Sequence, residues 1–151
     1  SGTEVLVDCF SGIGILTSVL CSPDYDTYAV EIEPSSVADA VAIKELNRSP
    51  RLTNLQGDAN ALLPQIAEQN RGKRLSLVVD PPRKGLGQTI CQTILNAEFD
   101  NVVYVSCDSA TLGRDLGMLS SRYEVDFAQP WDMFPQTAEV ETVCHLTLRS
   151  K

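Results

Sequence analysis

The sequence predicts an α/β fold with a mostly parallel, seven-stranded sheet and an antiparallel hairpin at one edge. Two observations carry this prediction. Short apolar, β-branched runs alternate with segments of helical periodicity along most of the 151 residues, which is typical of βαβ units. The last two apolar runs follow each other without a helical pattern between them, which predicts the edge hairpin. The whole chain, residues 1–151, is expected to form one domain.

Each predicted strand is a short apolar run, and a helical segment separates it from the next. The strands are expected at residues 4–8, 27–31, 51–56, 75–80, 101–106, 123–129 and 141–150. The helices are expected at residues 14–21, 34–47, 61–69, 88–96 and 110–119. The apolar side chains expected to share one packing face are Val37, Val41 and Leu46 in the second helix and Leu112, Leu116 and Leu119 in the fifth.

Composition narrows the class of protein. The formal net charge is −8, which argues against a nucleic-acid-binding surface because phosphate contacts need Lys and Arg. The five scattered cysteines include no CxxC pair and predict free thiols in a reducing, intracellular compartment, cytoplasm or nucleus. No metal site and no membrane span is predicted. The cysteines expected to be core thiols are Cys9, Cys21, Cys91 and Cys144.

Acidic residues follow the first three predicted strands. Asp8, Glu31 and Asp58 come at or just after the strand ends, and Gly12 and Gly14 allow a tight turn after the first strand. Ligands of open α/β sheets bind at the carboxyl ends of the strands. An acidic ring repels a pyrophosphate and favours a ligand with ribose hydroxyls, an adenine and a positive charge. S-adenosylmethionine has all three, although glycines and solvated acids alone also fit a plain turn.

Candidate reactive groups follow the later strands. Asp80 ends the fourth strand and opens the segment DPPRKGLG, in which two prolines stiffen the loop and Arg83 adds positive charge. Cys107 directly follows the fifth strand. In the tail, Glu139 and Glu141 share a face if the segment is extended. A rigid turn and a core cysteine would explain the first two of these features individually.

Taken together, six segments resemble the RNA uracil-5-methyltransferase family, whose members make 5-methyluridine in transfer or ribosomal RNA. In chain order they read DCFSGIGIL, VEIEP, GDAN, DPPRKGL, VSCDSATLGRDL and MFPQTAEVETV. The DPPR–G loop and the cysteine followed by ATL–RDL are the most specific. The resemblance implies a Rossmann-like class I methyltransferase fold, S-adenosyl-L-methionine as cofactor and an RNA substrate. We expect a monomer.

Matching positions in the family imply a role for each site residue. Cys107 would be the nucleophile that adds to carbon 6 of uracil, and Glu141 the base that removes the proton from carbon 5. Asp80 would lie between the cofactor and the target base, and Arg83 would supply positive charge on the substrate side. The implied cofactor-binding residues are Asp8, Phe10, Gly12, Gly14, Glu31, Asp58 and Asp80.

The sequence also departs from the family pattern. Members carry an N-terminal RNA-binding β-barrel and a further domain ahead of this region, and RNA binding is expected to need those missing domains. Asp108 and Ser109 follow the cysteine where the family often has Asn-Pro, and the charge of Asp108 disfavours a thiolate at Cys107. Glu139 stands where the family often has His, so a share of the base role stays open for it.

Two other functions remain open at this point. The net charge and Asp108 would suit a non-catalytic cofactor-binding or RNA-chaperone-like module. A methyltransferase could also act on another substrate, such as cytosine or a protein side chain. A proline–cysteine pair would favour cytosine, but the sequence has Ser106 before Cys107. For Trp131, packing is the default expectation and base stacking the alternative.

Overall fold

Strands and helices alternate along the chain in the computed structural model, which describes residues 2–132 and 140–150. The strands are β1 (Val5–Cys9), β2 (Asp26–Glu31), β3 (Leu52–Gln56), β4 (Leu75–Val79), β5 (Asn101–Ser106), β6 (Tyr123–Trp131) and β7 (Glu141–Leu148). The helices are α1 (Ile15–Leu20), α2 (Pro34–Asn47), α3 (Ala59–Gln69), α4 (Gly87–Ala97) and α5 (Ser109–Leu119). The predicted elements are all present, with ends that differ by a few residues.

The strands form one seven-stranded sheet in the order β3-β2-β1-β4-β5-β7-β6. Strands β1 to β5 pair in parallel, whereas β7 is antiparallel to both β5 and β6. The predicted antiparallel edge hairpin is therefore confirmed, with β7 lying between β5 and β6. Since β1 and β4 are neighbours, the chain reverses its winding direction there, and their carboxyl ends open a crevice suited to a ligand.

Helices α3, α4 and α5 cover one face of the sheet and form the main apolar core. Parallel strands alternate their side chains between the two faces, so every second strand residue enters this core. Its fully buried members include Val5, Val7, Leu63, Leu77, Ile90, Ile94, Tyr104, Leu119 and Leu146. The predicted stripe of α5 is confirmed, since Leu112 and Leu119 are buried and Leu116 packs against the core.

The other face is covered by α1 and α2 at the β1–β3 end. Asp8 of β1 points to this face and accepts a hydrogen bond from the Thr17 hydroxyl of α1. The stripe predicted for α2 is wrong. Val41 is 43% exposed and Leu46 is 82% exposed, while the small Ala40 is the buried residue of this helix. The close approach of α2 to the loop after β1 leaves room there for a methyl group only.

Two further sequence-based expectations concern cysteines and membranes. All five cysteines carry free thiols, and Cys9, Cys91 and Cys144 are buried as predicted. Cys21 is only half-buried, so the prediction that it lies in the core is wrong. Its thiol lies 3.5 Å from both the Ser18 carbonyl oxygen and the Ser49 hydroxyl.

Among the described residues, no helix has the length and apolar character needed to cross a bilayer.

Candidate active site

The loop after β1 departs from ordinary backbone geometry at three positions. Phe10 has φ 65°, Gly12 φ 55° and Gly14 φ 83°. A left-handed conformation is available to glycine without cost but strains a residue with a Cβ, at about 1 kcal/mol or more. Gly14 also lies so close to α2 that an added Cβ would be 3.1 Å from the Ala40 Cβ. Such strain is concentrated at functional sites, and here it folds the backbone back over the strand end.

Asp8 is the most deeply buried acid of the crevice, with 1% of its surface exposed. Burial raises its pKa from the ordinary value of 3.8 to about 6, and the nearby charges of Asp80 and Glu31 add to the rise. The Thr17 hydroxyl opposes that rise by donating a hydrogen bond. Asp80 and Glu31 therefore lie close enough to Asp8 to repel its charge. The sequence predicted a group of Asp8, Glu31 and Asp58, but in the structure Asp80, not Asp58, acts on Asp8 together with Glu31.

Glu31 ends β2 and binds the glycine loop. Its Oε2 accepts a hydrogen bond from the Gly12 N–H at 2.8 Å, and its Oε1 accepts from the N–H groups of Ile32 and Glu33, each at 2.9 Å. These three donors fix the carboxylate at the mouth of the crevice. Oε1 uses both of its lone pairs in these bonds, whereas Oε2 keeps one for a hydroxyl of a bound ligand.

Asp58 follows β3 and begins α3 as its N-cap. Its carboxylate accepts hydrogen bonds from the backbone N–H and the side-chain amide of Asn60, both at 2.9 Å. These bonds lower the pKa of Asp58, and the positive charge of Lys84 lowers it further. Asp58 is exposed, and it stands at the β3 side of the crevice, apart from the repelling group of acids.

Asp80 directly follows β4, and its N–H donates to the Cys9 carbonyl oxygen of β1 at 3.4 Å. Although Asp80 is exposed, surrounding protein atoms crowd one side of it. This partial desolvation raises its pKa, and the charge of Glu141 raises it further. The structure thus brings Asp80 close to Glu141, two residues that lie 61 positions apart in the sequence.

Cys107 and Glu141 occupy adjacent ends of β5 and β7. The last residue pair of these antiparallel strands is Ser106 with Thr142. Cys107 follows Ser106 in a bend, and Glu141 precedes Thr142 as the first residue of β7, so both residues are chain neighbours of this last pair. The Cys107 side chain is half-buried. Glu139, also named from the sequence, lies outside the described residues.

Asp108, the neighbour that seemed ill suited to a reactive thiol, is the N-cap of α5. Its side chain accepts a hydrogen bond from the Thr111 N–H at 2.8 Å, which lowers its pKa. Arg83 lowers it further through its positive charge, so the guanidinium lies near the residue next to Cys107. Cys107 itself precedes the N-terminus of an eleven-residue helix, whose dipole favours negative charge.

A set of hydrogen bonds joins the DPPR loop to α5, and sequence reasoning did not identify it. The Thr111 hydroxyl donates to the Arg83 carbonyl oxygen at 3.0 Å, and Arg114 donates to the Lys84 carbonyl oxygen at 2.8 Å. Asp115, which is fully buried, accepts from the Leu86 N–H at 2.7 Å. The loop that carries Asp80 is therefore fixed to the helix that follows Cys107.

Asp115 is itself held from two sides. The Tyr104 hydroxyl of β5 donates to its Oδ2 at 2.7 Å, and Arg114 donates to its Oδ1 at 2.8 and 3.0 Å. Gly85, with φ 75°, runs so close to this carboxylate that a Cβ would collide with it. In the sequence, the only indication of a buried acid here is the Arg114–Asp115 pair within a helix that otherwise packs apolar side chains. No group of His, Cys, Asp and Glu in the described part of the chain could hold a metal ion.

A crevice at the β1–β4 switch point, a strained glycine loop and acids on successive strand ends define a class I methyltransferase domain. A sequence profile of the family described as tRNA (Uracil-5-)-methyltransferase matches residues 3–149. The chain belongs to this family.

Similar proteins agree with this assignment. An uncharacterized RNA methyltransferase of Halalkalibacterium halodurans is 41% identical over 152 residues, which cover 99% of this chain and 33% of the relative. One of Listeria monocytogenes is 38% identical and is likewise matched over 33% of its length. The chain thus spans about a third of the curated relatives it matches.

Solved structures support the same fold. The Pyrococcus abyssi tRNA (uracil-54, C5)-methyltransferase, crystallised with S-adenosyl-L-homocysteine, superposes with a TM-score of 0.82 at 26% identity, over 97% of this chain and 35% of that one. The tRNA m1G37 methyltransferase of M. jannaschii superposes with a TM-score of 0.67 at 14% identity, over 100% of this chain and 46% of that one. The second likeness concerns the fold alone.

Proposed function

We propose that the chain is the catalytic domain of an S-adenosylmethionine-dependent RNA methyltransferase that methylates carbon 5 of uridine in transfer or ribosomal RNA. The observation that carries this proposal is that Cys107 and Glu141 each adjoin the last residue pair of β5 and β7, with Asp80 close enough to Glu141 for their charges to interact. A thiol, a base and a cofactor crevice within reach of one another are what this reaction needs. Family membership points to the same substrate class.

The crevice suits the proposed cofactor. Mutual repulsion between Asp8, Asp80 and Glu31 is relieved by a cationic ligand, and both the sulfonium and the ammonium of S-adenosylmethionine are cations. Oε2 of Glu31 is placed to accept a hydrogen bond from a ribose hydroxyl, as acids at the end of β2 do in related folds. When bound, the cofactor supplies the methyl group. Gly12 and Gly14 keep the loop free of side chains where the ligand would approach.

The reaction begins at the Cys107 sulfur. Its thiolate adds to carbon 6 of uracil, a carbon–sulfur bond forms, and the electron pair of the 5,6 double bond moves toward the carbon-4 oxygen. Carbon 5 of the resulting enolate is then nucleophilic and accepts the methyl group. The Glu141 carboxylate removes the remaining proton from carbon 5. The electron pair of that bond restores the double bond and expels the thiolate from carbon 6.

The amino end of α5 and two charged side chains lie next to Cys107. The helix dipole attracts negative charge just ahead of the helix, while the carboxylate of Asp108 repels it. The positive charge of Arg83 acts on Asp108 and offsets part of this repulsion. Asp80, which has a raised pKa and lies beside Glu141, is suited to contact the uracil edge as a hydrogen-bonding group.

Covalent trapping tests the proposal in the full-length product of the gene. An RNA with 5-fluorouridine at the target should form a stable adduct with Cys107, because a fluorine at carbon 5 cannot leave as a proton does. Cys107→Ser should abolish the adduct, whereas Cys21→Ser, which changes a half-buried thiol far from the crevice, should not. Normal methylation by the Cys107→Ser variant would refute the mechanism.

Glu141→Gln separates methyl transfer from proton removal. With ordinary uridine, this variant should transfer the methyl group and then accumulate a methylated RNA–protein adduct, because the proton on carbon 5 stays in place. Glu124→Gln on the exposed part of β6 serves as the control and should turn over normally. Wild-type turnover by Glu141→Gln would assign the base role elsewhere. Cofactor binding without turnover in the unmodified protein would favour a non-catalytic module.

A further inference from the structure

Trp131 lies at the same end of the edge hairpin as the proposed catalytic residues. It is the last residue of β6 and pairs directly with Glu141 of β7, which adjoins the last pair of β7 with β5, Thr142 with Ser106. Side chains directly opposite each other in an antiparallel pair project from the same face, so Trp131 and Glu141 share a face. With strands about 4.8 Å apart, β6 runs about 10 Å from β5, the strand that Cys107 follows.

The indole of Trp131 is 56% exposed, which is unusual for the largest apolar side chain. The second exposed aromatic of β6, Phe127, stacks on His145 with ring centroids 5.8 Å apart and an interplanar angle of 28°. Phe127 therefore has a packing partner within the sheet, four residues before Trp131. Trp131 is exposed at the end of β6, where it pairs with Glu141.

From this geometry we propose that Trp131 is an RNA-binding residue that stacks on an unpaired base next to the target uridine. The inference rests on the proposed function, because it takes a uridine at Cys107 as the neighbour. Reactive chemistry at carbons 5 and 6 requires the target base to leave its stack. Its flanking base then lacks a stacking partner, and an exposed aromatic ring about two strands away can replace it.

The local charge favours a base over a phosphate as the ligand. Glu141 faces Trp131 across the strand pair, Asp132 follows it, and Asp126 lies further along the same strand. These carboxylates would repel the phosphates of the RNA backbone, so a phosphate is not expected to bind at this position. The face of a nucleobase is uncharged, and stacking tolerates nearby acids. The contact would add affinity without sequence preference.

Binding assays with the full-length gene product test this role. The probes are a single-stranded RNA with the target uridine and two copies in which one flanking base, on the 5′ or the 3′ side, is replaced by an abasic ribose. Trp131→Ala should weaken binding of the intact RNA by about 5- to 150-fold, and Trp131→Phe should recover much of the loss. Phe127→Ala, the matched control on the same strand, should bind like the wild type.

The abasic probes identify the contact. One of them should bind the wild type more weakly by a similar factor and should be insensitive to Trp131→Ala. Subtracting the fluorescence of Trp131→Phe from that of the wild type gives the emission of Trp131. This emission should be quenched when intact RNA is added. Equal affinities of Trp131→Ala and Phe127→Ala, or equal sensitivity of all three RNAs to Trp131→Ala, would overturn the inference. A covalent adduct at Cys107 would still form in that case, which separates this failure from a failure of the proposed function.

Discussion

Asp8→Asn is the change that most directly tests the electrostatics of the crevice. The substitution keeps the size of the side chain and keeps an oxygen that can accept the hydrogen bond from Thr17. It removes the charge that burial and two neighbouring acids disfavour. We therefore expect the variant to be more stable than the wild type at neutral pH, and to bind S-adenosylmethionine more weakly.

The magnitude follows from the pKa. A rise from 3.8 to about 6 on folding corresponds to about 3 kcal/mol, at about 1.4 kcal/mol per pH unit. Below pH 3.8 the carboxyl is protonated in both the folded and the unfolded state, so the wild type bears no penalty. Between pH 3.8 and 6 the Asp8 carboxyl is ionised in the unfolded state but still protonated in the folded state, so stability falls as the pH rises. Above pH 6 the folded state loses this proton too. The penalty is about half present at pH 5 and complete above pH 7.

Urea unfolding of both proteins at several pH values between 5 and 7.5 measures this difference. The stability of Asp8→Asn relative to the wild type should increase by about 1.5 kcal/mol over that range. The new amide group shifts the whole curve by a constant amount, so the slope with pH is the diagnostic quantity. Asp39→Asn, an exposed change of the same kind on α2, serves as the control. A pH-independent difference for Asp8→Asn would refute the account of a buried, repelled acid.

Two further variants probe the elements that hold the nucleophile. Asp108→Ala removes the N-cap of α5 and should lower the Tm by about 2–4 °C. Asp108→Asn keeps an acceptor for the Thr111 N–H and should melt near the wild type. Equal Tm values for the two variants would show that the cap does not stabilise the protein. Tyr104→Phe removes the hydroxyl that donates to buried Asp115 and should cost about 1.5–3 kcal/mol in urea unfolding. Tyr28→Phe on β2 is its control, and a loss no larger than the control's would show that Asp115 does not depend on Tyr104.

Periodicity and spacing predicted the fold because the core residues obey them. Leu112, Leu116 and Leu119 face the main core, where three helices and the sheet exclude water. The same reasoning failed for α2, because that helix approaches the glycine loop through the small Ala40 and leaves Val41 and Leu46 in solvent. A hydrophobic stripe predicts burial only where a neighbouring surface exists to cover it.

The candidate site was harder to predict in its supporting contacts than in its reactive groups. Cys107 and Glu141 could be named from motifs, but only the register of β5 and β7 shows that both adjoin the same residue pair, Ser106 with Thr142. The sequence made Asp108 look like an obstacle to the thiolate. Its position as a helix cap gives it a structural reason to be there. Asp115 could not be identified from sequence because its three donors come from β5, α5 and the loop before α4, which no local pattern connects.

The acidity of the chain and its proposed RNA substrate are reconciled by where the charges lie. The carboxylates of Asp8, Glu31 and Asp80 gather around the crevice, where a cationic cofactor gains from them. On the proposed substrate side, Arg83 is held through its own carbonyl oxygen to Thr111, and Trp131 offers an uncharged ring. RNA recognition within this chain would then depend on the target base and its neighbour rather than on the phosphate backbone. Such binding should weaken little with added salt, because few counterions are released when the contacts are to bases.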